Sequence, residues 1–88
     1  TTDKFWKYYG QLPVETRKQA REAYRLFQQN PHHPGLHFKR IHSTKPIFSA
    51  RVSKNYRSVG IVLGDEIIWF WIGSHAGYNG LIKSMRNA

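Results

Sequence analysis

One unbroken apolar run constrains the fold of this chain more than any other stretch of its sequence. Residues 67–72 are three isoleucines, two tryptophans and one phenylalanine. Such β-branched and aromatic side chains pack well on a strand but lose χ1 freedom in a helix, and the run is too short for a typical core helix or a membrane span. Because neighbouring strand residues point to opposite faces, both faces must be covered. We predict the central strand of a small sheet here, followed at once by His75.

Length and charge indicate the class of partner. The 88 residues predict one domain, residues 1–88. Fourteen Lys and Arg against five Asp and Glu give a formal charge of +9, which favours nucleic acid, an acidic protein or an anionic membrane. A basic surface that only keeps the protein soluble is the alternative. With no cysteine, disulfides and thiolate metal sites are excluded. A signal peptide and a transmembrane run are not predicted.

Helical periodicity marks the first third of the chain. Apolar residues from Phe5 to Leu12 predict a helix that Thr2 or Asp3 caps and Pro13 stops. A second helix is predicted from about Pro13 to Gln29, with a buried stripe formed by Ala20, Ala23, Tyr24 and Phe27. Its other side carries four cations, Arg17, Lys18, Arg21 and Arg25. That side is either a ridge that follows phosphates or a solvated face.

Beyond a proline-rich loop at residues 30–35 the period changes to two, which predicts strands. The first carries Leu36, Phe38 and Ile41. The second alternates an apolar face with a polar face formed by Ser49, Arg51 and Ser53, and the third carries Val59, Ile61 and Leu63. Short turns at 54–55 and 64–65 imply an antiparallel meander of about four strands. We predict an α+β fold in which an N-terminal helical hairpin covers one face of the sheet and a short C-terminal helix ends the chain.

Four residues at predicted strand ends could carry chemistry: Arg51, Arg57, His75 and Tyr78. Metal-free RNA cleavage needs a base for the 2′-OH, an acid for the leaving 5′-oxygen and cations for the phosphate charge. Histidine moves protons near neutral pH, arginine forks bind phosphate, and tyrosine can stack on a base or move a proton. The structural alternatives are a helix cap for His75, a solvated sheet face for the arginines and a core position for Tyr78. Arg57 alternates in step with the apolar residues of its strand. It is therefore expected on the apolar face, unless the preceding turn shifts the register.

Several short motifs follow one another along the chain: Leu12-Pro13 before the basic helix, Asn30-Pro31, His33-Pro34, Phe38-Lys39, Ala50-Arg51-Val52, Tyr56-Arg57, the segment 68–75, and Tyr78. In this order and spacing they resemble the RelE/ParE superfamily of bacterial toxins, in its RelE-like branch. The resemblance implies an antiparallel sheet with a helical hairpin on one face. That superfamily begins with a strand before the hairpin, whereas only residues 1–4 precede the first predicted helix here, so that strand is missing or vestigial.

The resemblance also implies a function. It implies the toxin of a type II toxin–antitoxin pair, a cytoplasmic, metal-independent endoribonuclease (an mRNA interferase) that cleaves mRNA, often on the ribosome, without a cofactor and under the control of a cognate antitoxin. The phosphate-binding arginine carries over to Arg57, the basic residue after the last strand to His75, and the C-terminal tyrosine to Tyr78, with Arg51 as a further cation. The residues expected to bind RNA are Lys39, Arg40, Lys54, Arg17 and Arg21.

Two other functions stay open at this point. A ParE-like member would poison DNA gyrase by binding it, and such members generally lack the catalytic residues. A non-catalytic basic module would only bind nucleic acid, with an affinity that falls steeply as salt rises.

Overall fold

The computed structural model describes residues 1–86, in which helices and strands follow the predicted order. The elements are α1 (Asp3–Gly10), α2 (Val14–Gln29), a 3-10 turn (Pro34–Leu36), β1 (Lys39–Arg40), β2 (Ile47–Ser53), β3 (Tyr56–Leu63), β4 (Glu66–Ser74) and α3 (His75–Arg86). Within this part of the chain the strands pair antiparallel in the order β1-β2-β3-β4. The predicted α+β meander, with its N-terminal hairpin and C-terminal helix, is confirmed. None of the helices in residues 1–86 combines the length and the apolar composition needed to cross a membrane.

The apolar strand β4 lies at the edge of the described sheet, so the prediction that it is central was wrong. Along the sheet it pairs with β3. On its other side the N–H of Thr2 donates a hydrogen bond to the carbonyl of Trp69 at 3.2 Å. Helices α1 and α3 both pack against β4. An apolar run indicates that both faces of a strand are covered. It does not indicate whether the strand has one neighbouring strand or two.

A β-bulge in β4 divides its side chains between two cores. The register passes from Val59 opposite Trp71 to Gly60 opposite Trp69, which leaves Phe70 as the extra residue. An extra residue reverses the alternation of faces. Trp69 therefore joins the core beneath the helical hairpin, whereas Phe70 and Trp71 join the core beneath α3.

Each face of the sheet has its own apolar core. The buried residues on the hairpin side are Phe5, Leu12, Ala20, Ala50, Trp69 and Ile72. Those on the α3 side are Ile47, Val59, Trp71 and Tyr78. The predicted stripe of α2 was wrong at Tyr24, which is 50% exposed at the rim of a groove of about 520 Å³ between the hairpin and the sheet. Thr16 is buried on α2 although its polarity gave no sign of this.

Strand β1 is shorter than predicted. Leu36 belongs to the 3-10 turn, and His37 after it adopts a left-handed conformation with φ of 44°. An extended backbone cannot pass through such a residue. The strand therefore begins only at Lys39 and has two residues.

Gly60→Ala is expected to lower the free energy of unfolding by about 1–3 kcal/mol. The indole of Trp69 lies against β3 at this glycine, so an added Cβ would be 2.9 Å from Cε3 of Trp69 and 3.0 Å from the carbonyl oxygen of Ile68. Gly80→Ala in α3 is the matched control, because its Cβ would meet no described atom within 4 Å other than its chain neighbours and the backbone of its own helix. That alanine is expected to stabilise the helix by about 1 kcal/mol. Urea denaturation measures both variants, and equal changes would contradict the packing argument.

Candidate functional site

Two arginines occupy paired positions at one end of the sheet. Arg51 on β2 lies directly opposite Arg57 on β3. Arg57 contacts both His75 and Tyr78 of α3. It therefore lies on the same face of β3 as the apolar residues with which it alternates, as expected if the preceding turn does not shift the register. Like charges placed directly opposite each other on neighbouring strands repel. Such a pairing lowers stability unless a counter-charge compensates it.

The side-chain carboxylates of the chain lie away from this pair. They are Asp3, Glu15, Glu22, Asp65 and Glu66. The first three belong to the helical hairpin. Asp65 lies in the β3–β4 turn and Glu66 begins β4, at the far end of β3 from the arginines. Because the carboxylates lie on other elements, an external anion such as phosphate is a suitable counter-ion for these two arginines.

His75 is placed beside Arg57 by the backbone of the β2–β3 turn. The backbone N–H of His75 donates to the carbonyl of Asn55 at 2.7 Å. Oγ of Ser74 caps α3 by accepting from the backbone N–H of Gly77 at 3.2 Å. Nε of Arg57 donates to Nδ1 of His75 at 3.4 Å. This contact assigns the acceptor role to Nδ1, which puts the hydrogen of the neutral ring on Nε2. The contact is long and His75 is exposed, so a ligand can replace it.

Tyr78 lies beneath the cluster and not on its surface. The residue is 5% exposed, and its hydroxyl donates to Oγ of Ser49 on β2 at 3.3 Å. The ring lies 5.3 Å from Cζ of Arg57, and its centroid is 5.9 Å from that of the His75 ring. The alternation of β2 placed Ser49 on a polar strand face. The structure covers that face with α3, so Ser49 is buried.

The remaining basic candidates on the strands divide between the two faces. Lys39 lies opposite Ser49, which places it on the α3 side of the sheet. Lys54 is exposed in the turn that joins the strands of the arginine pair. Arg40 lies opposite Phe48, and its Nε donates to the carbonyl of His42 at 3.0 Å. Lys39 and Lys54 therefore extend the positive surface around the cluster, and Arg40 does not share their face.

Arg17 and Arg21 belong to α2, on the opposite face of the sheet. Nη1 of Arg21 donates to the hydroxyl of Tyr9 at 3.1 Å, and that hydroxyl lies 3.5 Å from the carbonyl of Arg17. Arg21 also borders the groove between the hairpin and the sheet. The structure thus brings Arg57 into contact with His75 and Tyr78. Arg51 is paired with Arg57 across the strands, and it also borders the groove that Arg21 lines.

Two residues that shape this cluster, Ser49 and Asn55, were not identified from the sequence. Ser49 holds the hydroxyl of Tyr78, and the carbonyl of Asn55 holds the first residue of α3. Both act across elements that are distant in sequence, and a serine in an alternating strand gives no local sign of this. Within residues 1–86, His, Asp and Glu side chains form no group of three placed to hold a metal ion.

Comparisons with known proteins assign the chain to a family. The model of the ParE-like toxin domain matches residues 14–80, a segment that contains the whole cluster. The fold is similar to a chain of the crystal structure of the RelB–RelE antitoxin–toxin complex from Methanococcus jannaschii, with a TM-score of 0.74, 21% identity, and coverage of 91% of this chain and 94% of that one. No curated protein matches the chain in sequence. The chain therefore belongs to the ParE-like toxin domain family, within the RelE/ParE superfamily of toxins that its sequence motifs resemble.

Proposed function

We propose that this protein is the toxin of a toxin–antitoxin pair and that Arg51, Arg57 and His75 cleave mRNA without a metal ion. The observation that carries the proposal is Arg57, which contacts the exposed imidazole of His75, is paired with Arg51 across the strands, and lies on a different element from every Asp and Glu. Nη1 of Arg57 is buried and has no hydrogen-bond partner within residues 1–86. After a small rotation of the guanidinium, a phosphate oxygen would supply that partner.

The proposed reaction is transfer of the phosphate to the neighbouring ribose hydroxyl. The 2′-oxygen attacks phosphorus, the bond to the 5′-oxygen breaks, and the products are a 2′,3′-cyclic phosphate and a 5′-hydroxyl. Phosphate binding takes the N–H groups of Arg57, which frees Nδ1 of His75, and the imidazole accepts the 2′-OH proton. The leaving 5′-oxygen takes its proton from water. Arg51 and Arg57 neutralise the charge that grows on the phosphate oxygens.

The partners follow from the same surface. Lys39 and Lys54 flank the cluster and would contact neighbouring phosphates of an mRNA strand on the ribosome. An antitoxin with an acidic segment would cover the cluster and block it, and the structural neighbour comes from an antitoxin–toxin complex. On this proposal residues 1–88 act as one domain in the cytoplasm, where mRNA is translated, and need no cofactor.

His75→Ala is expected to reduce mRNA cleavage by at least about 100-fold, because a positioned proton acceptor contributes on the order of 10²–10⁴ to a rate. Primer extension on an mRNA in a translating extract measures this as the loss of new 5′ ends. Lys83→Ala is the matched control, since it removes a charge from an exposed position of the same helix. Cleavage of free RNA by the wild type is expected to persist in EDTA. Equal cleavage by His75→Ala and wild type would refute the assignment of His75.

A second candidate is inhibition of DNA gyrase by binding. It is favoured by the burial of the Tyr78 hydroxyl against Ser49, which leaves His75 as the exposed proton-transfer group of the described cluster. It is also favoured by the match to the ParE-like toxin domain. On this alternative the protein inhibits purified gyrase at a low molar excess and produces no new mRNA ends in the extract.

A further inference from the structure

Ser49 and Tyr78 form a buried pair of hydroxyl groups between β2 and α3. Ser49 is 0% exposed and Tyr78 is 5% exposed. The hydroxyl of Tyr78 donates to Oγ of Ser49 at 3.3 Å. A buried hydroxyl without a partner is costly, so each group needs the other. The bond therefore sets how deeply the tyrosine ring lies between the helix and the sheet.

The ring that this bond holds is the support of Arg57. The guanidinium Cζ lies 5.3 Å from the ring centroid, within the range of about 6 Å over which a cation is attracted to an aromatic face. The Nε of the same group donates to Nδ1 of His75. Arg57 is thus held by a ring and by an imidazole, while its Nη1 has no partner among the described residues. Because Nη1 is buried, the guanidinium has to turn before this donor reaches a ligand.

We propose that Ser49 and Tyr78 are positioning residues, which hold the guanidinium of Arg57 in place for the RNA phosphate, and that the Tyr78 hydroxyl takes no part in proton transfer. The resemblance to RelE-like toxins implied a more direct role for this tyrosine. A proton carrier must come within hydrogen-bond reach of the substrate, and this hydroxyl is buried against β2. That the ligand is an RNA phosphate rests on the proposed function. That the Tyr78 ring holds the guanidinium of Arg57 does not.

Replacing the tyrosine in two ways separates the ring from the hydroxyl. Tyr78→Phe keeps the ring but loses the bond to Ser49, so KM for RNA cleavage is expected to rise a few-fold while kcat falls by no more than about threefold. Tyr78→Leu removes the ring, so the Kd for a 2′-O-methyl RNA oligonucleotide, which cannot be cleaved, is expected to rise about tenfold. A 100-fold fall in kcat for Tyr78→Phe at an unchanged Kd, about the contribution of general acid–base catalysis, would overturn the proposal.

The side-chain N–H of Arg57 gives a readout that needs no RNA. A guanidinium over an aromatic ring has an Hε resonance displaced by the ring current, and ¹⁵N-correlated NMR detects it. The displacement is expected in wild type and Tyr78→Phe and is expected to disappear in Tyr78→Leu. Titration with inorganic phosphate is expected to shift this resonance in the first two proteins. If the wild type cleaves no RNA, the proposed function fails. The comparison of the three Hε resonances still tests whether the Tyr78 ring holds Arg57.

A double variant tests the role of Ser49. If the Tyr78 hydroxyl serves only to bond Ser49, then Ser49→Ala combined with Tyr78→Phe is expected to behave like the more affected single variant, because the same interaction is removed. Additive losses in kcat would show separate roles and overturn the proposal. If Tyr78→Leu does not fold, the proposal is still tested by this double-variant cycle and by the Hε resonance of Arg57 in Ser49→Ala. Ser49→Ala and Tyr78→Phe are small substitutions, so both proteins are expected to fold. An unchanged Hε resonance in a folded Tyr78→Leu protein would also overturn it.

Discussion

Arg57→Ala is expected to lower the rate of mRNA cleavage by about 10²–10³-fold, the loss that follows removal of one group that stabilises transition-state charge. Arg57 is the better placed of the two arginines, because its guanidinium contacts both the ring of Tyr78 and Nδ1 of His75. Arg57→Lys is expected to fail nearly as badly. A lysine keeps the charge, but it lacks the planar fork that binds two phosphate oxygens and lies over an aromatic ring.

Stability distinguishes this effect from damage to the fold. Removing Arg57 ends its pairing with Arg51 but also loses its contacts with Tyr78 and His75, so the free energy of unfolding is expected to change by less than about 1 kcal/mol. Single-turnover cleavage and urea denaturation measure the two quantities on the same protein. Lys4→Ala is the control, because it removes an exposed charge from α1, on the other face of the sheet. A large loss of stability in Arg57→Ala would instead assign this arginine a structural role.

Trp69→Ala is expected to lower the free energy of unfolding by about 3–5 kcal/mol. Trp69 is 6% exposed, its ring packs edge-on against Phe27 with centroids 5.4 Å apart, and it covers Gly60. Small domains are stable by only about 5–15 kcal/mol, so this variant is expected to be at the margin of folding. Nε1 of Trp69 is buried without a partner in residues 1–86. Trp69→Phe, which removes that N–H and keeps a ring, is therefore expected to cost less than the alanine.

The control for this experiment is another tryptophan of the same chain. Trp6 on α1 is 53% exposed, and Trp6→Ala is expected to cost less than about 1 kcal/mol. Urea denaturation followed by circular dichroism at one temperature measures all three variants. Equal losses for Trp6→Ala and Trp69→Ala would contradict the division into an exposed rim and a buried core.

Some members of the candidate site could be predicted from the sequence, but its geometry could not. Arg57 and His75 fall at strand ends, where side chains are placed rigidly, and the motifs around them resemble those of a toxin superfamily. That Arg51 lies opposite Arg57 depends on the register between β2 and β3. That the hydroxyl of Tyr78 lies in the core depends on how α3 packs on the sheet. Register and helix docking both arise from contacts between residues far apart in sequence.

By itself, the sequence determined where most helices, strands and turns lie, because hydrophobic period, prolines and glycines act over a few residues. It also determined the charge of +9, which favours a polyanionic partner. Only the tertiary structure decided that the most apolar strand is at an edge, that a bulge at Phe70 divides its side chains between two cores, and that Ser49 is buried. Burial and strand neighbours are properties of the packed chain: one serine in an alternating strand is exposed or buried according to which helix covers it.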